Sequence, residues 1–233
     1  MKISESFYTI QGEGISQGVP AYFIRLQGCN LNCTWCDTTD IWKAGVNVTN
    51  EQLEERIRHS GQLEKVLARE THLVWTGGEP TLQEREIKDF LNYLNSKYSS
   101  SKIFSEIETN GTIKVSDDFF GRYIQQVNCS PKLSNSDMLT QRRINLGAIR
   151  QIKSYIGSWF KFVVSTEEDI SEMERDFIIP LGISKDRVIL MPKADSLADL
   201  ADRTRDCFEL TKKYGYRTIT RGHILAWNKK TGV

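Results

Sequence analysis

The chain of 233 residues carries 31 basic against 30 acidic side chains, a formal net charge of +1. That length suffices for one sizeable core and predicts a single domain over residues 1–233. The balanced charge gives no footprint for nucleic acid or an anionic membrane surface, no apolar run is long enough to span a bilayer, and the opening Met1-Lys-Ile-Ser-Glu-Ser6 lacks a signal-peptide pattern, so a soluble cytoplasmic protein with reduced thiols is expected.

Residues 1–20 fit no alternation of strands and helices and are expected to form a separate hairpin or cap. Residues 21–26 are a short apolar run ending before Gly28 and read as a strand. Thr49-Asn-Glu-Gln52 has the form of a capping box and opens a helix to about Glu70, with Leu53, Ile57, Leu63, Val66 and Leu67 inward and Gly61 as a break. A strand over 72–76 follows, then helical spacing at Ile87, Phe90, Leu91, Leu94 and Tyr98. Further strands are expected at 102–108, 124–129, 160–165, 188–191 and 216–220, with helices at 146–156, 166–177 and 196–214. Strands separated by helices argue for an α/β fold with a parallel sheet. Right-handed crossovers then bring the C-terminal ends of the strands to one face. No internal repeat, low-complexity tract or linker interrupts the pattern.

The unusual loops all fall just past those ends, where α/β folds place their sites. Cys29, Cys33 and Cys36 follow the first strand at CxxxCxxC spacing, Thr76-Gly-Gly-Glu-Pro80 the second, and Glu108-Thr-Asn-Gly111 the third. Ser130-Pro-Lys132 and Met191-Pro192 occupy the same position in later units. Clustered cysteines in a reducing compartment read as metal ligands. A closed zinc site wants four ligands, and so does a full iron–sulfur site. Three leave one metal position open to a substrate or cofactor. Cys129 and Cys207 are far off in sequence and read as buried or incidental thiols. Gly77 and Gly78 lack a Cβ and let backbone approach a ligand, and Glu79 can accept hydrogen bonds from a ligand ammonium. Taken alone, Gly-Gly-Glu-Pro is a turn. Trp35, between two of the cysteines, reads as a hydrophobic screen.

CxxxCxxC followed one βα unit later by Gly-Gly-Glu-Pro resembles the radical S-adenosylmethionine (SAM) enzymes. The resemblance implies a partial, incomplete β/α barrel of about six parallel strands with an N-terminal extension. It also implies a 4Fe–4S cluster on Cys29, Cys33 and Cys36, whose open iron chelates SAM for radical generation. Tyr8-Thr-Ile-Gln-Gly-Glu-Gly14, Phe23-Ile-Arg-Leu-Gln-Gly-Cys29, Cys36-Asp-Thr38, Glu108-Thr-Asn-Gly111, Ser130-Pro-Lys132 and His223 are similar to the 7-carboxy-7-deazaguanine synthase family, across essentially the whole chain. That family is a radical SAM lyase that contracts 6-carboxy-5,6,7,8-tetrahydropterin to 7-carboxy-7-deazaguanine with loss of ammonia, on the route to queuosine and related 7-deazapurines, with Mg²⁺ as a further requirement.

Several residues suit such a substrate on their own chemistry. Arg25 can hold a carboxylate by a planar two-pronged contact. Gln11 and Glu13 carry donors and acceptors for an aminopyrimidinone edge, with Glu108 a second candidate. Gly12 and Gly14 would let their loop fold over it. By resemblance Ile10, Gly12, Thr76, His223 and the terminal Val233 join the substrate contacts. Trp35, Asp37, Gly77, Gly78, Glu79, Ser130, Pro131 and Lys132 face SAM on the same ground, and Thr38 is the Mg²⁺ ligand. No side chain is assigned as obligatory acid or base, which leaves positioning as the protein's contribution. A flavodoxin or ferredoxin reductant and a homodimer are family expectations. Two rivals stand beside this reading: an activase of a glycyl-radical enzyme, and a non-catalytic iron–sulfur regulator.

Overall fold

A computed structural model describes residues 1–99 and 103–233. Nine strands form one sheet: β1 (Lys2–Ile10), β2 (Pro20–Leu26), β3 (Val46–Asn47), β4 (His72–Gly77), β5 (Ser105–Thr109), β6 (Gln126–Cys129), β7 (Ser158–Val164), β8 (Val188–Pro192) and β9 (Arg217–Thr218). Their order is β3-β1-β2-β4-β5-β6-β7-β8-β9. From β2 through β9 every neighbour is parallel. Among the described residues the two edge strands do not pair with each other, so the barrel is incomplete. The expected strands are found as β2, β4, β5, β6, β7, β8 and β9, the last shortened from 216–220 to two residues, which makes seven parallel strands against the six or so that the resemblance implies. Residue 102, where one expected strand began, lies outside the described residues.

The N-terminal segment departs from the expectation of a separate element. β1 pairs antiparallel with β2 from Ile10↔Pro20 back to Ile3↔Leu26, and also with β3, so it extends the main sheet. Only Ile3 on this strand is fully buried, which is why it shows no clear two-residue period. The connection 11–19 turns back on itself, with Gln11 N–H donating to the Val19 carbonyl and Gly18 N–H to the Gln11 carbonyl (both 2.8 Å).

The helices cover the outer face. The box at Thr49 is real: its hydroxyl accepts from Gln52 N–H, and the Gln52 side chain accepts from Thr49 N–H. That helix, Asn50–His59, stops short of Gly61, which sits at φ +73°, and a second short helix, Leu63–Leu67, completes the span. Glu84–Lys97 buries Ile87, Phe90, Leu91 and Leu94, each stabilising the fold by roughly 1.5–3 kcal/mol. Phe90 meets Trp75 of β4 edge to face at 5.9 Å. Tyr22, Ile24, Leu26, Leu73, Trp75, Ile107 and Val127 supply the strand side of this core. The alternate residues of the same strands point into the barrel. Ala21, Phe23 and Val74 make a small apolar floor there with Phe7, and above it the inward positions turn polar. Among the described residues no helix is long and apolar enough to cross a membrane.

Candidate active site

The C-terminal ends of β2, β4, β5 and β6 are in register. Arg25 pairs with Thr76, the Trp75↔Ile107 pair sets Thr76 beside Glu108, and Glu108 pairs with Asn128. Side chains paired this way in a parallel sheet project to the same face. All four line one cavity of about 720 Å³, as do Cys29, Cys33, Cys36, Trp35, Asp37, Thr38, Gly77, Gly78, Ser130, Lys132, Ile10, Gln11, Gly12, Glu13, His223 and Val233. Glu79 and Pro131 do not.

Glu79 is the main departure from expectation. It is fully buried and accepts from Thr81 N–H (3.0 Å), Thr81 Oγ1 (2.5 Å), Thr109 Oγ1 (2.7 Å) and Asn110 N–H (2.7 Å). Its carboxylate therefore ties the loop after β4 to the loop after β5 rather than facing a ligand ammonium. Burial pushes its pKa up, against those hydrogen bonds. Pro131 is likewise packed inward. The glycines before Glu79 have a reason of their own. A Cβ on Gly78 would stand 2.0 Å from the Gly28 carbonyl oxygen and 2.8 Å from the Cys29 Cβ; one on Gly77 would stand 2.2 Å from the Leu26 carbonyl. Glu79 N–H also donates to the Gly28 carbonyl at 2.8 Å. The close approach is thus to the backbone of the cysteine loop, which it holds in place.

The three clustered thiols are half-buried at the cavity wall. Burial pushes Cys29 up to about 11 and also raises Cys33; at Cys36 the effect of burial is outweighed by hydrogen bonds from Thr39, Thr38 and Trp42, and the thiol is lowered. Among the described residues no three Cys, His, Asp or Glu side chains converge on a single ion. No fourth thiolate is at hand. Cys129 is fully buried, with its Sγ 2.7 Å from where a Cβ on Gly111 would sit, and Cys207 is fully buried with its thiol toward the Val164 carbonyl. Trp35 donates through Nε1 to the Asn135 carbonyl (2.8 Å), and Lys132 Nζ lies 5.3 Å from its ring centroid while donating to Ser130 Oγ (3.0 Å). Thr38 begins the helix Thr39–Trp42, yet its hydroxyl makes no capping bond and lies 3.6 Å from Cys36 Sγ.

The polar wall is a network. Gln11 donates through Nε2 to Glu106 Oε1 (2.9 Å) and Glu108 Oε1 (3.3 Å), and its Oε1 accepts from Glu13 N–H (3.1 Å). The Gln11 side chain is therefore committed within the protein, to Glu106, to Glu108 and to the backbone of Glu13. Thr76 Oγ1 donates to Glu108 Oε2 at 2.7 Å. Arg25 donates through Nε to Glu5 Oε1 at 2.7 Å. His223 is on the short helix Gly222–Trp227, with Nε2 3.9 Å from Glu13 Oε1, and burial holds its pKa below the usual value. A Cβ on Gly12 would collide with that imidazole at 2.4 Å, so Gly12 is needed for the ring to seat.

Two residues of this wall escaped the sequence reading. Lys161 of β7 pairs with Glu13 Oε2. Arg221 pairs through Nε with Glu13 Oε1 (2.8 Å), through Nη2 with Asp37, and through Nη1 with the Ala194 carbonyl. Burial alone would raise the Glu13 carboxyl, but Lys161 and Arg221 hold it well below the usual range. Removing one member strands the others, so Glu13→Ala is expected to cost about 3–5 kcal/mol of stability in urea unfolding. The pH dependence follows in sign. A depressed carboxyl pKa stabilises fully at neutral pH and loses that contribution as pH falls from about 4.5 through the folded-state value. Acid unfolding curves of wild type and Glu13→Ala should therefore converge below that range.

A profile described as the radical SAM superfamily matches residues 23–152. The chain is 34% identical to the 7-carboxy-7-deazaguanine synthase of Pyrobaculum aerophilum, over 100% of this chain and 97% of that protein. It is 28% identical to the 7-carboxy-7-deazaguanine synthase of Escherichia coli K12, over 95% of this chain and 96% of that one. The crystal structure of QueE from Escherichia coli superposes with a TM-score of 0.62 at 26% identity, over 94% and 93% of the two chains.

Proposed function

The chain belongs to the 7-carboxy-7-deazaguanine synthase family of the radical SAM superfamily, and we propose that this cavity converts 6-carboxy-5,6,7,8-tetrahydropterin to 7-carboxy-7-deazaguanine with loss of ammonia. The observation that supports the reading best is the meeting of two sets of groups in one cavity: three metal-competent thiols on one wall, and a fixed cation with half-buried carboxylates on the other. A carboxypterin needs the second set, an anion holder for its carboxylate and acceptors for its ring donors. Cys29, Cys33 and Cys36 would hold the cluster, which together with SAM would supply hydrogen-atom abstraction.

The chain's own residues bind, orient and exclude water. Trp35, Asp37, Gly77, Gly78, Ser130 and Lys132 are assigned to SAM. Arg25 is assigned to the substrate carboxylate, and Glu13, Glu108, Thr76, Ile10, Gly12, His223 and Val233 to the rest of the pterin. Gln11 acts through Glu13 and Glu108. Thr38 is assigned to Mg²⁺, which keeps waters and substrate oxygens and needs few protein ligands; a hydroxyl free of capping duty is available for this. Gln11, Gly12 and Glu13 and residues 228–233 contribute to the cavity lining. The same proposal includes one radical SAM domain over 1–233, a homodimer, a flavodoxin or ferredoxin reductant and a cytoplasmic location.

Anaerobic reconstitution with SAM, Mg²⁺, reductant and 6-carboxytetrahydropterin should give 5′-deoxyadenosine and 7-carboxy-7-deazaguanine together by mass spectrometry. Deoxyadenosine alone would keep radical chemistry and sink the substrate. Thr38→Ala should raise the Mg²⁺ concentration for half-maximal turnover about tenfold or more, the equivalent of one lost ligand, with iron content unchanged. An unaltered Mg²⁺ dependence would remove Thr38 from the metal.

A further inference from the structure

Asn128 is the fourth member of the rung that carries Arg25, Thr76 and Glu108, and no role has been given to it so far. It is 2% exposed and lines the cavity. Its Nδ2 has no hydrogen-bond partner, one of four such buried side-chain atoms among the described residues. Of the other three, Thr9 Oγ1 also lines the cavity but belongs to a half-buried residue whose hydroxyl can rotate, while His72 and Arg143 lie outside it.

The direction of the amide is set by its neighbours. Gln126 Nε2 donates to Glu106 Oε2 (2.6 Å) and Ser16 Oγ (2.7 Å), so that end of Gln126 is the amino end. The same Nε2 lies 3.3 Å from Asn128 Oδ1. An amino group there favours the acceptor end of Asn128 toward Gln126, which leaves Nδ2 buried without a protein partner. Gly14 closes over this arrangement: a Cβ there would reach within 3.2 Å of Asn128 Oδ1. An unpaired donor, oriented and shielded in this way, is a site waiting for an acceptor.

We propose that Asn128 is a substrate-recognition residue, whose Nδ2 donates a hydrogen bond to the C4 carbonyl oxygen of the pterin ring. The inference rests on the carboxypterin reading above. The aminopyrimidinone edge presents donors at its 2-amino group and N3–H, and an acceptor beside them at the C4 oxygen. Glu13 and Glu108 can only accept, because ionised carboxylates have no donor to offer. They read the two donors and cannot read the oxygen. Asn128, one strand across from Glu108, supplies the missing donor. It would thereby select an oxo over an amino group at C4, because an amino group there would set donor against donor.

The test is equilibrium binding to the cluster-loaded protein with SAM and without reductant, followed by pterin fluorescence. Two probes are compared: 6-carboxypterin, with oxygen at C4, and 2,4-diaminopteridine-6-carboxylate, with an amino group there. The amino probe also lacks N3–H, so the informative quantity is how the ratio of the two Kd values changes with the variant. In Asn128→Leu the preference for the oxo probe should fall roughly tenfold, the loss of one buried hydrogen bond. In Asn128→Asp, which offers an acceptor in place of the donor, the preference should fall further, through tighter binding of the amino probe. Iron content and SAM affinity should stay at wild-type values in whichever variant is read. Either variant retaining the wild-type ratio overturns the proposal. Failure of the wild-type protein to bind either pteridine would instead overturn the substrate reading on which it stands.

Discussion

Cys33→Ala is expected to yield neither 5′-deoxyadenosine nor 7-carboxy-7-deazaguanine under conditions where the wild-type protein makes both. A cluster held by three thiolates has no redundancy in its ligand set, and the fold offers no substitute. Cys129 is fully buried behind the loop at Gly111, where burial and the nearby Glu79 raise its pKa. Cys207 is fully buried beneath β7, with its thiol directed at the Val164 carbonyl. Neither can reach the cavity without dismantling the core. Bound iron and the visible absorption of the reconstituted cluster should therefore collapse with turnover, while the far-ultraviolet circular dichroism remains that of the wild type. The matched control is Cys129→Ser, which leaves all three cavity thiols in place and should retain the cluster. If Cys33→Ala still made deazapurine, the cysteine loop would have no part in the chemistry.

Most of the architecture was legible because β2, β4, β7 and β8 are short, largely apolar runs, and the cysteine loop, Gly-Gly-Glu-Pro and Met191-Pro192 lie at the ends of three of them. β1 was not, because its residues are half-buried and its partners, β2 and β3, come later in the chain. Glu79 was read as ligand-facing because its chemistry allows it. Nothing in Gly-Gly-Glu-Pro reveals that Thr81, Thr109 and Asn110 fold in to occupy the carboxylate. Lys161 carried a signal that went unread: a single charge inside Phe160-Lys-Phe-Val-Val164 is out of place on a buried strand unless it is paired. Arg221 carried none, since its partners Glu13 and Asp37 lie 208 and 184 residues away in sequence. The site was visible where one residue suffices for a role, as at the cysteines, and hidden where the role belongs to a contact between distant residues.

Arg25 joins both situations and gives the second large effect. From sequence it is a guanidinium four residues before the first cysteine; from structure it is one held by its Nε. The Glu5 carboxylate on β1 accepts that N–H at 2.7 Å across a cross-strand pair. Among the described residues nothing else hydrogen-bonds the guanidinium, so its two terminal amino groups remain for an anion in the cavity it lines. This is the fork geometry that matches a carboxylate. Arg25→Lys keeps the charge but loses the fork, and its ammonium cannot serve Glu5 and a substrate carboxylate in the same geometry. The expected result is a fall in kcat/KM of roughly 30–100-fold, about 2–3 kcal/mol for lost charge-assisted hydrogen bonds. Iron content and SAM affinity should be unchanged. Glu5→Gln should show a smaller fall in the same direction, since it loosens the fork without removing it. A substrate analogue lacking the 6-carboxylate gives the deciding comparison. Arg25→Lys should bind it as well as wild type does, and an equal loss for both ligands would place Arg25 in the scaffold rather than on the substrate.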